Sequence, residues 1–302
     1  MSVSTTLKNL TELCIQYGDN ELAAIKFMQS RGIMHRRRVC PRCGRPMVLQ
    51  HRKDRNDVRW RCHRKLCQKE LSPKTGTWLQ GCDYPVRTLL LFVRAWSETL
   101  TTLKFCRVMF SMNDGAAVRL NAAMRRVAEE WLLNNPVPVG GPGLTVEVDE
   151  SLFARRKYNR GRMLPQAWVV GGVCRETGHC FLARVADRSA ATLINVIKEN
   201  VAAGSTVITD EWRGYYRLSS EHYTHLRVNH SINFVDRVTG AHTQTVESLW
   251  SHAKQGNKAR RGTHRSQIDS YLCEFVWRRR LSRDEHPFNQ ILCAIAELHP
   301  PR

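Results

Sequence analysis

The chain has 302 residues, 42% hydrophobic and 25% charged, a globular composition that excludes wholesale disorder and leaves room for more than one domain. Its 47 Lys and Arg against 27 Asp and Glu leave a net charge of +20, a surplus that suits a polyanion such as nucleic acid and that no small neutral metabolite needs. No apolar run approaches the ~20 residues of a membrane-spanning helix, and the first residues lack a charged segment followed by an apolar core, so neither a membrane anchor nor a secretory leader is expected.

Residues 1–34 read as a helical segment. Leu7, Leu10, Leu13 and Cys14 recur at helical spacing, and a second helix begins after Asn20, a suitable N-cap. Residues 35–82 change character. Cys40 and Cys43 form a C-x2-C pair, and Cys62 and Cys67 form a C-x4-C pair, with 18 residues between the two pairs. Two such pairs bring four soft thiolates to one tetrahedral zinc ion. Gly44 suits the knuckle after the first pair, and strand-like segments at 47–50 and 58–61 complete a zinc ribbon. The x4 spacing is loose, and His63 is an alternative ligand. Residues 31–65 hold 13 Lys or Arg and 2 Asp, more than half of the whole surplus, so this module is expected to lie on phosphates. The other seven of the 11 cysteines are scattered and read as small buried hydrophobes in a reducing compartment.

Helical patterning returns over 83–134, with Tyr84-Pro85 opening one helix and residues 111–114 capping another. Residues 135–143 hold three prolines and three glycines and mark a linker. The pattern then becomes strand-like. Strands are expected at 144–148, 167–174, 180–185, 207–210 and 225–229, and helices at 189–201, 247–254 and 268–279.

Three carboxylates stand where a charge is costly. Asp149 ends an alternating strand in which Val146 and Val148 share one face, leaving Glu147 and Asp149 on the other. Asp210 directly follows a buried strand. Glu247 opens a helix whose apolar face is Val246, Leu249 and Trp250. Converging carboxylates are what hard divalent cations need, and a pair of such ions serves phosphodiester chemistry.

With these motifs in place, the chain resembles DDE-type transposases of the Merlin group and their bacterial insertion-sequence relatives. The likeness runs nearly end to end: the helical start, the ribbon, VEVDESLFARRKYNRGR, VITDEWRGY, and VNHSINFVDRVTGAHTQTVESLWSHAKQ, with 36 residues between Asp210 and Glu247. Some bacterial relatives carry Asn as the third metal-binding residue; here it is Glu. The resemblance implies an α/β fold over 144–302, a ribonuclease-H-like mixed sheet with flanking helices, and a catalytic triad of Asp149, Asp210 and Glu247. These would hold two Mg2+ (or Mn2+) ions, beside the structural Zn2+ of the ribbon. Arg155, Arg156, Lys157, Arg160 and Arg162, with Lys254, Lys258, Arg260 and Arg261, would grip double-stranded DNA, both the terminal inverted repeats and the target.

His230 and His242 flank the third element, at the scissile phosphate or as structural side chains. Trp212 with Tyr215 or Tyr216 would wall the site or pack in the core. The two helical stretches within 101–133 suit either a helix-turn-helix, with Arg119, Arg125 and Arg126 on its last helix, or a plain packing domain. The implied activity is cleavage at transposon ends and strand transfer by a homo-oligomer, in the nucleus of a eukaryote or the nucleoid of a bacterium. The alternative is a domesticated descendant that binds DNA without transposing.

Overall fold

The computed structural model describes residues 9–153, 167–229, 235–237, 239–260, 262–282 and 284–302. The chain divides into two compact units, Met1–Trp131 with Arg283–Arg302, and Leu132–Ser282.

In the first unit, α1 (Leu10–Tyr17) starts at Asn9, whose side chain accepts from Glu12 N while the Glu12 carboxylate accepts from Asn9 N. That reciprocal pair satisfies two of the donors that a helix start leaves open. Asn20 caps α2 (Glu21–Ser30), as expected. Glu21 then reaches across to α3 (Val86–Ser97), where its carboxylate accepts from Val86 N at 2.8 Å and Arg87 N at 3.0 Å. Helix α3 has no side-chain cap of its own, so a residue 65 positions earlier caps it. Between these helices four antiparallel strands pair in chain order: β1 (Arg38–Val39), β2 (Pro46–Arg52), β3 (Asp57–Arg61) and β4 (Glu70–Leu71). Helices α4 (Leu103–Phe110) and α5 (Asp114–Asn134) follow.

The second unit is a five-stranded sheet with helices on both faces. Its strands are β5 (Thr145–Leu152), β6 (Trp168–Cys174), β7 (Cys180–Val185), β8 (Thr206–Asp210) and β9 (Thr224–Val228), in the order β7-β6-β5-β8-β9. The first three are antiparallel, and β8 and β9 run parallel to β5. That order and these directions make the sheet ribonuclease-H-like. Helix α6 (Ala190–Asn200) and the 3-10 segment Arg213–Ser220 cover one face, where Val146, Val148, Val170, Val207, Ile197 and Tyr215 pack together. Helices α7 (Gln244–Ala259) and α8 (Ile268–Arg280) cover the other, with Val169, Val173, Val246, Leu249, Trp250 and Leu272. Among the described residues no helix is long and apolar enough to cross a membrane.

The last helix, α9 (Pro287–Leu298), departs from the expected 144–302 domain. It belongs to the first unit, where it packs on α3 and where Phe288 stacks on Phe27 with ring centroids 6.3 Å apart. Its buried Phe288, Ile291, Leu292 and Ile295 make one apolar stripe. Periodicity shows such a stripe but does not say which core receives it.

Candidate active site and metal centre

Two hydrogen-bonded turns shape the ribbon. Cys40 N donates to Arg45 O and Gly44 N to Cys40 O, with Gly44 at φ +69, a left-handed position that suits glycine. Across from it, Cys67 N and Gln68 N both donate to Arg64 O. The turns bring Cys40 Sγ to 3.6 Å from Cys67 Sγ, and Cys43 Sγ to 3.5 Å from Cys62 Sγ. All four sulfurs lie within 4.8 Å of one another, the one such group of three or more metal-ligating side chains among the described residues. Zinc–sulfur bonds of about 2.3 Å in a tetrahedron put sulfurs about 3.8 Å apart, so the donor set fits zinc. His63 is exposed and stands outside the group, so the longer C-x4-C spacing needs no substitute ligand.

In the sheet, β5 and β8 pair in parallel at Thr145↔Thr206, Val146↔Val207 and Glu147↔Ile208. Two further steps along each strand set Asp149 beside Asp210, on the face that α7 covers. Neighbouring strands are about 4.8 Å apart, so two carboxylates at the same level repel. Burial, with Glu150 and Asp210 close by, pushes the Asp149 carboxyl up to about 7. Each aspartate is oriented by one indole residue: Trp250 Nε1 donates to Asp149 Oδ2 at 3.0 Å, and Trp212 N donates to Asp210 Oδ1 at 2.9 Å.

The helix that bears Glu247 is anchored to the sheet by a residue the sequence pattern did not single out. Glu147 is fully buried and accepts from Thr245 N at 2.8 Å, Val246 N at 2.9 Å and Thr245 Oγ1 at 2.7 Å. It thereby receives the open donors of the α7 N-terminus, where a negative charge is favourable. Arg175 Nε balances that charge at 2.6 Å, and Arg175 also donates to His242 O. One turn of helix then separates this anchor from Trp250 on Asp149. Glu247 lies three residues before Trp250 on the same side of α7. Its carboxylate is exposed, takes a long bond from Thr243 Oγ1 at 3.4 Å, and is not gathered within 4.8 Å of both aspartates.

Gly171 makes the close fit possible. It pairs with Asp149 across β5 and β6, and a Cβ there would lie 2.7 Å from the Trp250 ring. A glycine inside an apolar strand is the signal for such an approach. Behind β5, Glu150 points to the opposite face, where Tyr215 Oη donates to it and Arg188 Nη1 lies 3.1 Å away. Arg188 is itself sandwiched between the Trp168 and Trp212 rings, at 4.1 and 4.3 Å from their centroids. Tyr215 is thus core, Trp212 flanks Asp210, and Tyr216 is exposed with Arg227 over its ring.

Among the basic residues, Lys254 Nζ donates to Ser151 Oγ at 2.5 Å, one strand step pair beyond Asp149. Burial lowers its ammonium, and the Asp149 charge opposes that shift. Lys258 is exposed further along α7, and the Arg260 guanidinium lies 3.6 Å from the Tyr271 ring centroid. His242 Nδ1 faces Glu147 at 3.4 Å, at the base of α7. Arg155, Arg156, Lys157, Arg160, Arg162, His230 and Arg261 lie outside the described residues.

The family model for the ISXO2-like transposase domain matches residues 139–280. An uncharacterized transposase-like protein of Haemophilus influenzae is 33% identical over 89 residues, covering 30% of the chain and 71% of that protein. Male abnormal protein mab-31 of Caenorhabditis elegans is 27% identical over 153 residues, 46% of the chain, and the chain spans 36% of that relative's length. Among solved structures, the HTLV-2 integrase catalytic core domain in complex with magnesium matches 45% of the chain and 84% of its own, at 12% identity and a TM-score of 0.29.

Proposed function

Because the chain belongs to the ISXO2-like transposase family, we propose that it is a DDE transposase, cleaving a phosphodiester at each transposon end and joining the freed 3′-hydroxyl to target DNA. The observation that carries this reading is the register that brings Asp149, inside β5, beside Asp210 at the end of the parallel strand β8, under a helix that bears Glu247. Oxygen donors crowded on neighbouring strands suit magnesium or manganese, and burial, with Glu150 and Asp210 close by, disfavours the Asp149 anion in the absence of a cation. When bound, two such ions supply the positive charge that activates the attacking oxygen and stabilises the crowded phosphate.

The protein's own groups do the rest. Trp250 and Trp212 hold the two aspartates in fixed orientation, so no reorganisation is needed as the reaction proceeds. Glu147 fixes the start of α7, which keeps Glu247 one turn before Trp250 and its bond to Asp149. Lys254, poised over Ser151, takes the phosphate next to the scissile one, and Lys258 and Arg260 follow the DNA backbone away from it. Arg155, Arg156, Lys157, Arg160, Arg162 and Arg261 continue that track. In the ribbon, Cys40, Cys43, Cys62 and Cys67 hold zinc, and the surrounding arginines meet phosphates. Pairing of two ends calls for a homo-oligomer.

The test uses purified protein, magnesium or manganese, and a plasmid carrying the gene with its natural flanks. Mapped 3′-ends should show discrete cuts at both flanks. Asp210→Asn should lose at least ~10³-fold in cutting, since metal charge is worth several kcal/mol at a transition state, and should keep DNA binding. Binding without cutting by the wild type and the variant alike would instead favour a domesticated DNA-binding protein.

A further inference from the structure

Arg188 lies in the short segment between β7 and α6, and its neighbours leave it little freedom. Its guanidinium has an indole on each face, Trp168 at 4.1 Å and Trp212 at 4.3 Å to the ring centroids, inside the ~6 Å at which a cation is drawn to an aromatic face. Its Nη1 lies 3.1 Å from Glu150 Oε1, and that carboxylate, 3% exposed, also takes the Tyr215 hydroxyl. The main chain of Arg188 joins the stack as well, since Trp212 Nε1 donates to Arg188 O at 3.3 Å. Trp168, the outer layer, opens β6 and is held by strand pairing with Leu152 on one side and Val185 on the other. Gly214 lets the chain fold back against the Trp212 indole, where a Cβ would lie 2.9 Å from Cδ1.

An arginine beside a phosphodiester site would ordinarily be assigned to a phosphate. This one has both faces covered and its Nη1 engaged by a buried acid. What the stack holds is Trp212. That ring is 40% exposed, so burial fixes it only in part, and the guanidinium on its face and the carbonyl at its edge do the rest. Trp212 stands two residues past Asp210, and its backbone N–H donates to Asp210 Oδ1 at 2.9 Å. That bond keeps its direction only while residues 210–212 keep their turn, so a fixed indole fixes the turn. A chain of contacts therefore runs from Glu150 through Arg188 and Trp212 to Asp210. Only a planar cation can fill its second place, because a lysine ammonium cannot cover two rings and meet a carboxylate with its edge.

We propose that Arg188 is a positioning residue. Stacked between Trp168 and Trp212 and anchored on Glu150, it holds the 210–212 turn and so aims the Asp210 carboxylate for a divalent cation. This rests on the reading of Asp149 and Asp210 as metal ligands, and it adds a side chain that touches neither metal nor DNA.

The experiment measures Mn2+ binding by the full-length, zinc-loaded protein without DNA, from the electron paramagnetic resonance signal of the free ion. Wild type should bind, and Asp210→Asn should lose the ions that the aspartates hold. Arg188→Ala should weaken those ions about 10- to 100-fold, the range for a side chain that orients a ligand without touching the metal. Arg188→Lys keeps a charge on Glu150 without the stack, and should recover only part of that affinity. Trp168→Leu, on the far side of the guanidinium from Trp212, should weaken binding in the same direction by a smaller factor. Trp212→Ala leaves the Arg188–Glu150 pair in place and should match Arg188→Ala, so it tests the clamp even where Arg188→Ala does not fold. Working below the melting temperature of every variant, at unaltered zinc content, separates a misdirected carboxylate from lost folding. If Asp210→Asn binds Mn2+ as wild type does, the metal-ligand reading fails and takes this inference with it. If Asp210→Asn loses the ions while the Arg188 and Trp212 variants bind as wild type does, this inference alone is overturned.

Discussion

The ribbon and the five-stranded sheet both hold strands in register, by different means. In the ribbon the buried cluster is Cys40, Met47, Trp60 and Cys62, with Cys43, Leu49, Cys67 and Leu71 packed around it. Half of those side chains are the thiols themselves, so the four-cysteine cluster takes the place of a core. The sheet has an apolar cluster on each face and needs no such staple. The acids differ accordingly. Asp57 and Glu70 of the ribbon each lie near arginines, with Arg59 3.1 Å from Asp57. In the sheet Asp149 sits half-buried beside two other carboxylates. The sheet, with apolar burial on both faces, tolerates crowded carboxylates, while the ribbon pairs its acids with arginines.

The largest effect that sharpens this contrast is removal of the zinc ligands. Cys62→Ala, or a strong chelator, should unfold the ribbon and leave the sheet intact. Hydrogen exchange would read this directly: amides of β2 and β3 lose protection, while those of β5 and β6 keep theirs. Equal loss of protection in both regions would mean that the ribbon is not separately held.

Next in size is Glu147→Ala. It removes the acceptor for three donors at the start of α7 and strands Arg175. Breaking a buried pair by taking one partner costs about 3–5 kcal/mol, so urea midpoints should fall, while zinc content stays at the wild-type level. Glu147→Gln, which keeps an acceptor oxygen, should recover part of the loss. An Ala variant as stable as wild type would show that α7 is held by its apolar face alone.

Much of the sheet was legible because its signals are local. The run from Cys180 to Val185 is β7, and α6 lies within the helix expected at 189–201. The ribbonlike spacing of the four cysteines and the place of Asp210 at the end of β8 are also short-range patterns, whereas Asp149, expected to end its strand, lies inside β5, which runs on to Leu152 because it keeps pairing with β6. What stayed hidden is carried by pairs far apart in sequence. Glu147 looked like a neighbour of Asp149 on one face, and its partners at Thr245 and Val246 lie 98 and 99 residues away. The role of Gly171 depends on a tryptophan in another element, and α9 shows its stripe without its destination. The 3-10 segment Arg213–Ser220 spans only eight residues, too few for its period to stand out in the sequence.

The smallest expected effect concerns a histidine under the same sheet. His225 Nε2 lies 3.0 Å from the hydroxyl of Thr209, which is fully buried. Burial, and then Arg227, lower its pKa to about 4 from an ordinary 6.5. Between those values the unfolded chain takes up a proton that the fold refuses, so the contribution of His225 falls as pH drops from 6.5 toward 4. Asp149 works in the opposite direction: its folded carboxyl is raised to about 7, so its protonation in the fold adds stability as pH falls below that value. The net slope of the wild type therefore mixes the two, and the difference between wild type and His225→Gln isolates the histidine. Thermal midpoints of the two proteins should change in parallel above pH 7 and diverge below 6.5, with the variant losing less. Parallel midpoints down to pH 5 would place the acid sensitivity of the sheet somewhere other than His225.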